Sequence, residues 1–527
     1  MKRAPAVSLL LCKPLVAQCS FRTRVPRKAR SLRGMAAEIM SLSMPRQSHG
    51  VYHSWGCSAA EVGHRVASSS SVTTTVGGCG RKRSSAFAFA RTVRGDSKCK
   101  CTADTAHDAR HEGIGAIEEL HAQLPFSREL WGTFMDVYWQ KKPLVIRGGI
   151  QPGSSVAIEA DELAGLACEA EFQPRIINKG EEGASDWALE LGPFSEAKLQ
   201  SLPSTGSWCL LLNDLEKHVP EAAELLDLFD HFPRWRVADV QASISTNGGS
   251  VGPHSDQFDV FLIQTDGCKR WSISDNPEYA PNIEEAFFQD IDVKVLKDFQ
   301  PKFCSVLEPG DVLYLPPKVA HHGVAELCHS VCTTYSIGFL APTHDDLVLS
   351  YAQASVEGVT DDFSRRWSDP WLEPQNDVGR IAPGAVGLAA EIIHKSMPRN
   401  EADVARWFGC HVTASHGGLE VGALMVPDEE ISPEDLLSRW TEEGLLLLRA
   451  DIKFAFVDDV SDGSLEGCLF FAGGNAWVLR SRNGIELARH IANRNEIEAD
   501  DWIGEIESES KTLISDLFNN GFIYFFS

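Results

Sequence analysis

The fold is decided by one stretch of this 527-residue chain, Gly252-Pro-His-Ser-Asp-Gln-Phe-Asp-Val-Phe-Leu-Ile-Gln264. It joins a His-x-Asp segment to a run of apolar residues that is typical of a buried β-strand. A second histidine follows in Leu315-Pro-Pro-Lys-Val-Ala-His321. These segments therefore bear on both the fold and the chemistry of the chain.

Short β-type segments surround these residues on both sides. Asn247-Gly-Gly249 and Thr265-Asp-Gly267 are strong turn signals between such segments. The predicted strands are Val237–Ser245, Phe258–Gln264, Lys269–Ser274, Phe303–Leu307, Val312–Leu315 and His329–Phe339. Short strands with frequent turns predict a barrel or a sandwich, and a double-stranded β-helix, the cupin jelly roll, fits best.

His254, Asp256 and His321 form a candidate set of metal ligands. On a strand, residues i and i+2 point to the same face, so the first two would both face a barrel lumen. Two imidazoles and one carboxylate are the ligands of non-haem Fe(II) oxygenases, and they leave positions open for a chelating co-substrate and dioxygen. From the pattern alone, an exposed His-x-Asp pair and a solvated His321 remain the alternative.

Lys269 and Ser245 are candidates for binding an anion inside the barrel. Lys269 lies on the strand after the Thr265-Asp-Gly267 turn, and a buried ammonium needs an anionic partner. The distal carboxylate of 2-oxoglutarate would supply that charge, and the Ser245 hydroxyl could add a hydrogen bond. The alternatives are a lysine at the rim whose ammonium reaches solvent and an ordinary strand serine.

Charge is divided unevenly along the chain. Residues 1–94 contain 16 Lys or Arg and two acids, whereas the remainder contains 33 basic and 71 acidic residues, a balance of −38. So acidic a body repels nucleic acid and attracts basic partners. No apolar run is long enough for a membrane span. We therefore expect neither direct nucleic-acid binding nor a membrane segment.

The first 94 residues are rich in Arg and Ser and poor in acids, which is typical of an organelle transit peptide. Both chloroplast and mitochondrion fit this composition. The length of the leader and the run Ser68–Thr75 slightly favour the plastid. The alternative is a basic tail without a targeting role.

Several motifs resemble those of the JmjC-type ribosomal oxygenases. The resemblance covers about residues 114 to 527 and is closest to the bacterial branch, which hydroxylates an arginine of large-subunit ribosomal protein 16 of the L series. The matching segments are Val251–Gln264, Tyr138-Trp-Gln-Lys-Lys-Pro143, Gly192-Pro-Phe194, Glu308-Pro-Gly-Asp-Val-Leu-Tyr-Leu-Pro-Pro317, Tyr335-Ser-Ile-Gly-Phe339 and Asn520-Gly-Phe-Ile-Tyr-Phe-Phe526.

The resemblance, together with the composition of the leader, implies an α+β architecture with four parts. Residues 1–110 would be the transit peptide and a disordered linker, and 111–344 the JmjC/cupin catalytic domain with flanking helices. Residues 345–399 would form a helical dimerisation region, and 400–527 a winged-helix-like C-terminal domain. A homodimer is expected from this organisation.

The resemblance also implies a site and a reaction. His254, Asp256 and His321 would be the iron ligands, and Lys269 and Ser245 would bind 2-oxoglutarate. The cofactors would be Fe(II), with 2-oxoglutarate and dioxygen as co-substrates. The expected reaction is 3-hydroxylation of an arginine in a basic ribosomal protein, which the acidic body would attract.

Lysine at position 269 departs from the bacterial branch, which usually has arginine there, and resembles eukaryotic relatives that hydroxylate histidine. A ribosomal histidine hydroxylase and a JmjC lysine demethylase therefore stay open as alternatives. So does a cupin of another class, either a binding protein without catalysis or a metal-dependent isomerase or hydrolase.

Overall fold

The computed structural model describes residues 114–151, 158–180, 187–203, 206–289, 291–326, 331–357, 368, 380–396, 400–414, 426–427, 429–502, 504 and 506–525. All of these belong to one compact unit. The predicted transit peptide and linker, residues 1–110, lie outside the described residues. Within the described ranges, no helix has both the length and the apolar character needed to cross a bilayer.

Most of the first part of the described chain is β-structure. Its strands are β1 (Gly115–Ala116), β2 (Glu119–His121), β3 (Leu144–Arg147), β4 (Arg175–Lys179), β5 (Trp187–Leu191), β6 (Trp208–Leu212), β7 (Val237–Ser245), β8 (Asp259–Asp266), β9 (Cys268–Ser274), β10 (Phe303–Leu307), β11 (Val312–Leu315), β12 (Ala320–Glu326) and β13 (Cys332–Phe339).

These strands form two sheets. The large sheet has the order β2-β3-β11-β8-β13-β7-β6-β4-β5, and the small sheet has the order β1-β10-β9-β12. Consecutive strands β8 and β9 lie in different sheets, and Gly267, with φ of 66°, makes the tight turn between them. Together with the family match reported below, this arrangement confirms the predicted jelly roll.

Helices flank and follow the barrel. The α-helices are α1 (Arg128–Val137), α2 (Ala160–Leu166), α3 (Glu196–Gln200), α4 (Leu215–His218), α5 (Pro220–Ala223), α6 (His344–Glu357), α7 (Pro383–Ser396), α8 (Glu401–Thr413), α9 (Pro433–Glu443), α10 (Arg482–Asn493), α11 (Ala499–Trp502) and α12 (Ser508–Asn519). Short 3-10 helices span Ala170–Phe172, Glu224–Phe229, Arg234–Arg236, Pro277–Tyr279 and Glu284–Ala286.

The middle of strand β8, residues 260–263, is apolar without interruption. Phe261 and Ile263 pack with the flanking helices, and the ring of Phe261 lies beside that of Phe134. Val260 and Leu262 point the other way and pack with residues of the small sheet. Because both faces are covered, these four residues have no polar side. The burial of these two faces joins the helices, the large sheet and the small sheet.

The last part of the chain has its own core. Residues 400–525, where described, form the C-terminal unit, whose buried side chains include Trp440, Phe470 and Leu513. Two three-stranded antiparallel sheets, β18-β14-β19 and β15-β16-β17, comprise β14 (Leu445–Leu448), β15 (Phe454–Val457), β16 (Cys468–Ala472), β17 (Asn475–Leu479), β18 (Glu496–Glu498) and β19 (Ile523–Phe525). The four domain limits and the winged-helix label remain predictions.

The structure differs from the sequence-based expectation around the candidate ligands. His254 and Asp256 do not lie on a strand, because His254 makes only an isolated antiparallel bridge to His321. His321 lies within β12, whereas we expected it after a strand and a turn. The bridge adds one residue pair to the free edge of the small sheet, and this is enough to bring the two segments together.

We predict that Gly252→Ala destabilises the fold more than Gly148→Ala does. Both glycines have left-handed φ angles, of 85° and 62°. A Cβ at Gly252 would lie 2.7 Å from a Val295 methyl, whereas one at Gly148 would meet no atom within 4 Å. The expected losses are about 3 kcal/mol and about 1 kcal/mol, measured as free energies of unfolding in urea. Equal losses in the two variants would contradict this account.

Candidate metal centre and adjoining cavities

Backbone hydrogen bonds fix the positions of the three candidate ligands. The amide of His254 donates to the carbonyl of His321 at 3.0 Å, and the amide of His321 donates back at 2.7 Å. The amide of Lys318 donates to the carbonyl of Asp256 at 2.7 Å. The loop that carries His254 and Asp256 is therefore attached to β12 and to the turn before it.

The orientation of both imidazoles is set by backbone carbonyls. Nδ1 of His254 lies 2.9 Å from the carbonyl oxygen of Gly252, and Nδ1 of His321 lies 3.0 Å from that of Val319. A carbonyl oxygen can only accept, so each Nδ1 carries the proton and each Nε2 presents a lone pair. Both rings are thus in the tautomer that a metal ion requires.

The three lone-pair donors converge on one point. Oδ2 of Asp256 lies 3.9 Å from Nε2 of His254 and 3.6 Å from Nε2 of His321. This carboxylate oxygen is buried and has no hydrogen-bond partner among the described residues. Donor atoms that face one another without a shared proton are stabilised by a cation, and this donor set fits Fe(II).

Burial governs the protonation of the cluster. It raises the pKa of Asp256, while the electrostatic effects of His254 and Lys294 act in the opposite direction. Burial, followed by the effect of His254, holds the pKa of His321 well below its usual range. The imidazole is therefore neutral and able to bind a metal, and a bound cation would offset the cost of the buried carboxylate.

Behind the cluster lies a cavity that contains a buried ammonium. Lys269 is only 5% exposed, which excludes a rim lysine whose head reaches solvent. Its Nζ lies 3.4 Å from the hydroxyls of both Ser243 and Thr334, and it forms no ion pair with the described residues. The cavity is lined by Leu211, Gln241, Ser243, Val251, Leu262, Lys269, Trp271, Thr334 and Ser336. Such a site calls for an anion.

Ser245 is not the hydroxyl that contacts Lys269. It is fully buried further along β7, paired with Cys209 on one side and Cys332 on the other. Ser243 lies two positions earlier on the same face and is in contact with the ammonium. The sequence offered two serines with the same alternation, and no local signal distinguished them. Thr334 was missed because it looks like any other threonine in a strand.

Asp239 is a buried carboxyl that sequence reasoning missed. The alternation of β7 places it on the same face as Gln241, which lines the cavity. Its Oδ2 has no hydrogen-bond partner among the described residues. Burial, then repulsion from Asp214, raises its pKa to about 7 against the opposing effects of Lys217 and Arg175. The sequence signal that could have identified Asp239 is an acidic residue within the predicted strand Val237–Ser245, whose other residues are mostly uncharged.

A second cavity adjoins the first on the side of the candidate ligands. Leu211 and Val251 line both cavities. The residues around the second are Arg175, Ile177, Leu189, Leu211, Val251, His254, Ser255, Asp256, Val293 and Lys294. Positive charge from Arg175 and Lys294 therefore lies on this side of the carboxylate, and Arg175 also acts on Asp239.

Comparisons with known proteins agree with this geometry. The JmjC domain family model matches residues 224–347. A probable ribosomal oxygenase of Haemophilus influenzae is 30% identical over 320 residues, 60% of this chain and 75% of the relative. The ribosomal protein uL16 3-hydroxylase of Escherichia coli is 28% identical over 403 residues, 75% of this chain and 97% of the relative.

A solved structure of YcfD, a ribosomal oxygenase from Escherichia coli, in complex with cobalt and 2-oxoglutarate, is also similar. Its TM-score is 0.60 at 25% identity, and the match covers 77% of this chain and 99% of the other. These matches and the donor set confirm the predicted class of enzyme, an Fe(II)- and 2-oxoglutarate-dependent oxygenase.

Proposed function

This chain belongs to the JmjC ribosomal oxygenase family, and from that membership we propose that it hydroxylates an arginine side chain of a ribosomal protein. The large-subunit protein uL16 is the first candidate substrate, because a relative matched over almost its whole length is named a ribosomal protein uL16 3-hydroxylase. Fe(II), 2-oxoglutarate and dioxygen are the proposed cofactor and co-substrates.

Each residue of the cluster has a proposed role toward iron. His254 and His321 would bind it through Nε2, and Asp256 would bind it through Oδ2. When bound, Fe(II) supplies the activation of dioxygen at the coordination positions that the three side chains leave open. The protein's own contribution is to keep the imidazole of His321 neutral, hold the carboxylate in place and exclude water.

Lys269 is the proposed partner of 2-oxoglutarate. Its ammonium would pair with the distal carboxylate, and the hydroxyls of Ser243 and Thr334 would orient both groups. Ser245 remains a predicted partner of 2-oxoglutarate, and Ser243 lies on the same face in contact with the ammonium. A lysine binds a carboxylate as a point charge and does not fix its orientation. The hydroxyls of Ser243 and Thr334 would orient the carboxylate by hydrogen bonds.

Asp239 is the observation that carries the proposal of an arginine substrate. A guanidinium is a planar cation that binds a carboxylate with two parallel hydrogen bonds. Asp239 offers a buried oxygen without a partner on the face that lines the barrel. The positive charge of Lys294 would disfavour a cation on its side of Asp256, and the guanidinium is expected to point toward Asp239.

The acidic body and the basic leader support a proposal for the cellular setting of this activity. The balance of −38 after residue 94 would attract a basic ribosomal protein and oppose direct contact with nucleic acid. The composition of the leader supports action on an organellar ribosome, in a chloroplast or mitochondrion, with the plastid slightly favoured.

A homodimer is supported by apolar side chains on the helices after the barrel. Val348 and Leu349 of α6 and Val386 and Ile393 of α7 are each more than half exposed. Several exposed apolar side chains on consecutive helices are typical of a surface that another chain covers. The symmetric pairing of two copies is the simplest way to cover it.

We expect wild-type protein, supplied with Fe(II) and 2-oxoglutarate, to add one oxygen atom to an arginine of purified Escherichia coli uL16. Asp256→Ala should abolish the modification, because it removes one of the three donor atoms. It should also abolish metal retention. Mass spectrometry of uL16 and the metal content of the protein are the measurements.

Asp275→Ala is the matched control, since this aspartate is exposed and pairs with Lys302. It should leave both readouts unchanged. Metal retention or hydroxylation by Asp256→Ala would contradict the proposed site. An oxygen found on a histidine in place of an arginine would contradict the assignment of the substrate side chain.

Lys269→Ala should raise the 2-oxoglutarate concentration for half-maximal turnover by about 10- to 100-fold, because one charge-assisted contact is lost. Lys269→Arg keeps the charge and should recover part of the loss. The exposed Lys302→Ala serves as control, and turnover is followed as succinate released. An unchanged requirement in Lys269→Ala would refute the role.

Ile393→Asp should convert a dimer into a single chain, because a carboxylate would be buried without a partner in the proposed interface. Sedimentation equilibrium measures the mass directly. Leu191→Asp, at an equally exposed apolar residue of β5, should leave the mass unchanged. If the wild-type protein has the mass of a single chain, the proposed homodimer is wrong.

A further inference from the structure

The C-terminal unit holds the segment that leads into β7. Nη1 of Arg234 donates to Oδ1 of Asn495 at 2.6 Å, and the ring of Trp235 meets that of Phe408 edge-on at 5.5 Å. A further contact is made by Lys453, which directly precedes β15. Its Nζ donates to the carbonyl of Val237 at 2.7 Å, and the carbonyl of Trp235 lies at 3.5 Å.

This contact lies at the start of the strand that lines the active site. Val237 is the first residue of β7, and Asp239 and Gln241 follow on the inward face. The amide of Val240 donates to Oε2 of Glu216 at 2.8 Å, which fixes the next part of the strand. Lys453 and Glu216 therefore hold the backbone on either side of Asp239.

Lys453 also lies in a cluster of opposite charges. The groups that act on its ammonium are Lys217, of the same sign, and the carboxyls of Glu216, Asp239 and Asp214. Lys217 is already engaged, since its Nζ is 2.6 Å from Oδ1 of Asp214. Three carboxyls thus share two ammonium groups, and Lys453 is the one contributed by the C-terminal unit.

We propose that Lys453 is a positioning residue for substrate binding, through which the C-terminal unit fixes Asp239 and keeps it charged for a guanidinium. The inference rests on the proposed function, because it assigns Asp239 to the substrate arginine. It makes the C-terminal unit part of the substrate-binding apparatus.

The pH dependence follows from the same cluster. Burial, together with Lys217, lowers the pKa of Lys453 to about 8, and burial raises that of Glu216 to about 8. Asp239, with a pKa of about 7, becomes charged as pH rises through 7, whereas Lys453 loses its charge as pH rises through 8. Substrate affinity should therefore be highest between pH 7 and pH 8. Loss of Lys453 should raise the pH at which Asp239 becomes charged and thus the lower limit of this range.

The first test is steady-state kinetics of the full chain with purified uL16. Lys453→Met should raise the KM for uL16 about tenfold while leaving kcat and the 2-oxoglutarate requirement within twofold. Lys453→Arg should restore most of the affinity, because it retains the charge. Lys511→Met, in the same unit on α12, is the control and should behave as wild type. An unchanged KM in Lys453→Met overturns the inference.

A double-mutant cycle shows whether Lys453 acts through Asp239. In the Asp239→Asn background, Lys453→Met should add nothing to the KM. Additive effects would overturn the inference while leaving the proposed function intact. If Asp239→Asn alone leaves the KM unchanged, the proposed arginine site is wrong, and the two failures are thereby distinguished.

A stability measurement needs no substrate. The pKa of Asp239 is higher in the folded protein than in the unfolded chain. As the pH rises from about 4, wild type therefore loses stability relative to Asp239→Asn. The difference in stability becomes constant above the pKa of Asp239 in the folded protein. In the Lys453→Met background, the pH at which this difference in Tm levels off should increase, because an opposite charge is gone. An unchanged value overturns the inference even if uL16 is not the substrate.

Discussion

The site depends on the pair of backbone hydrogen bonds between His254 and His321. These two residues lie far apart in sequence, and the bridge brings their Nε2 atoms to one carboxylate oxygen of Asp256. Everything chemical about the chain follows from this convergence, since separate residues would be ordinary polar groups. The barrel supplies the edge of the small sheet on which the bridge forms, and the left-handed φ of Gly252 lets the loop approach it.

The sequence predicted best those features that local periodicity determines. Strands β7, β10 and β11 begin and end where we expected, because their pattern and the adjoining turn signals are visible in the residues themselves. Ser243 and Asp239 were missed, because the sequence shows which residues of a strand share a face but not which side chains of other strands they meet. The bridge at His254 was also hidden, because it depends on a partner that is distant in sequence.

Charge is sorted along the inward face of β7. Lys269 approaches this face at Ser243, whereas Asp239 lies four residues earlier, about 13 Å away along an extended strand. The candidate ligands lie within electrostatic reach of both groups, since Asp256 acts on Asp239 and Lys269 acts on His321. An anionic co-substrate and a cationic side chain therefore have separate places, and neither charge needs to be neutralised by the other.

Main-chain oxygens hold the Nδ1 atoms of both histidines. No single substitution among the surrounding side chains can delete an acceptor that belongs to the peptide backbone. Substitutions in the surrounding side chains therefore leave these acceptors of the metal-binding histidines in place, and the residues that line the cavities can vary. Descendants of one ancestral scaffold can accordingly change their target while inheriting the same reactive centre.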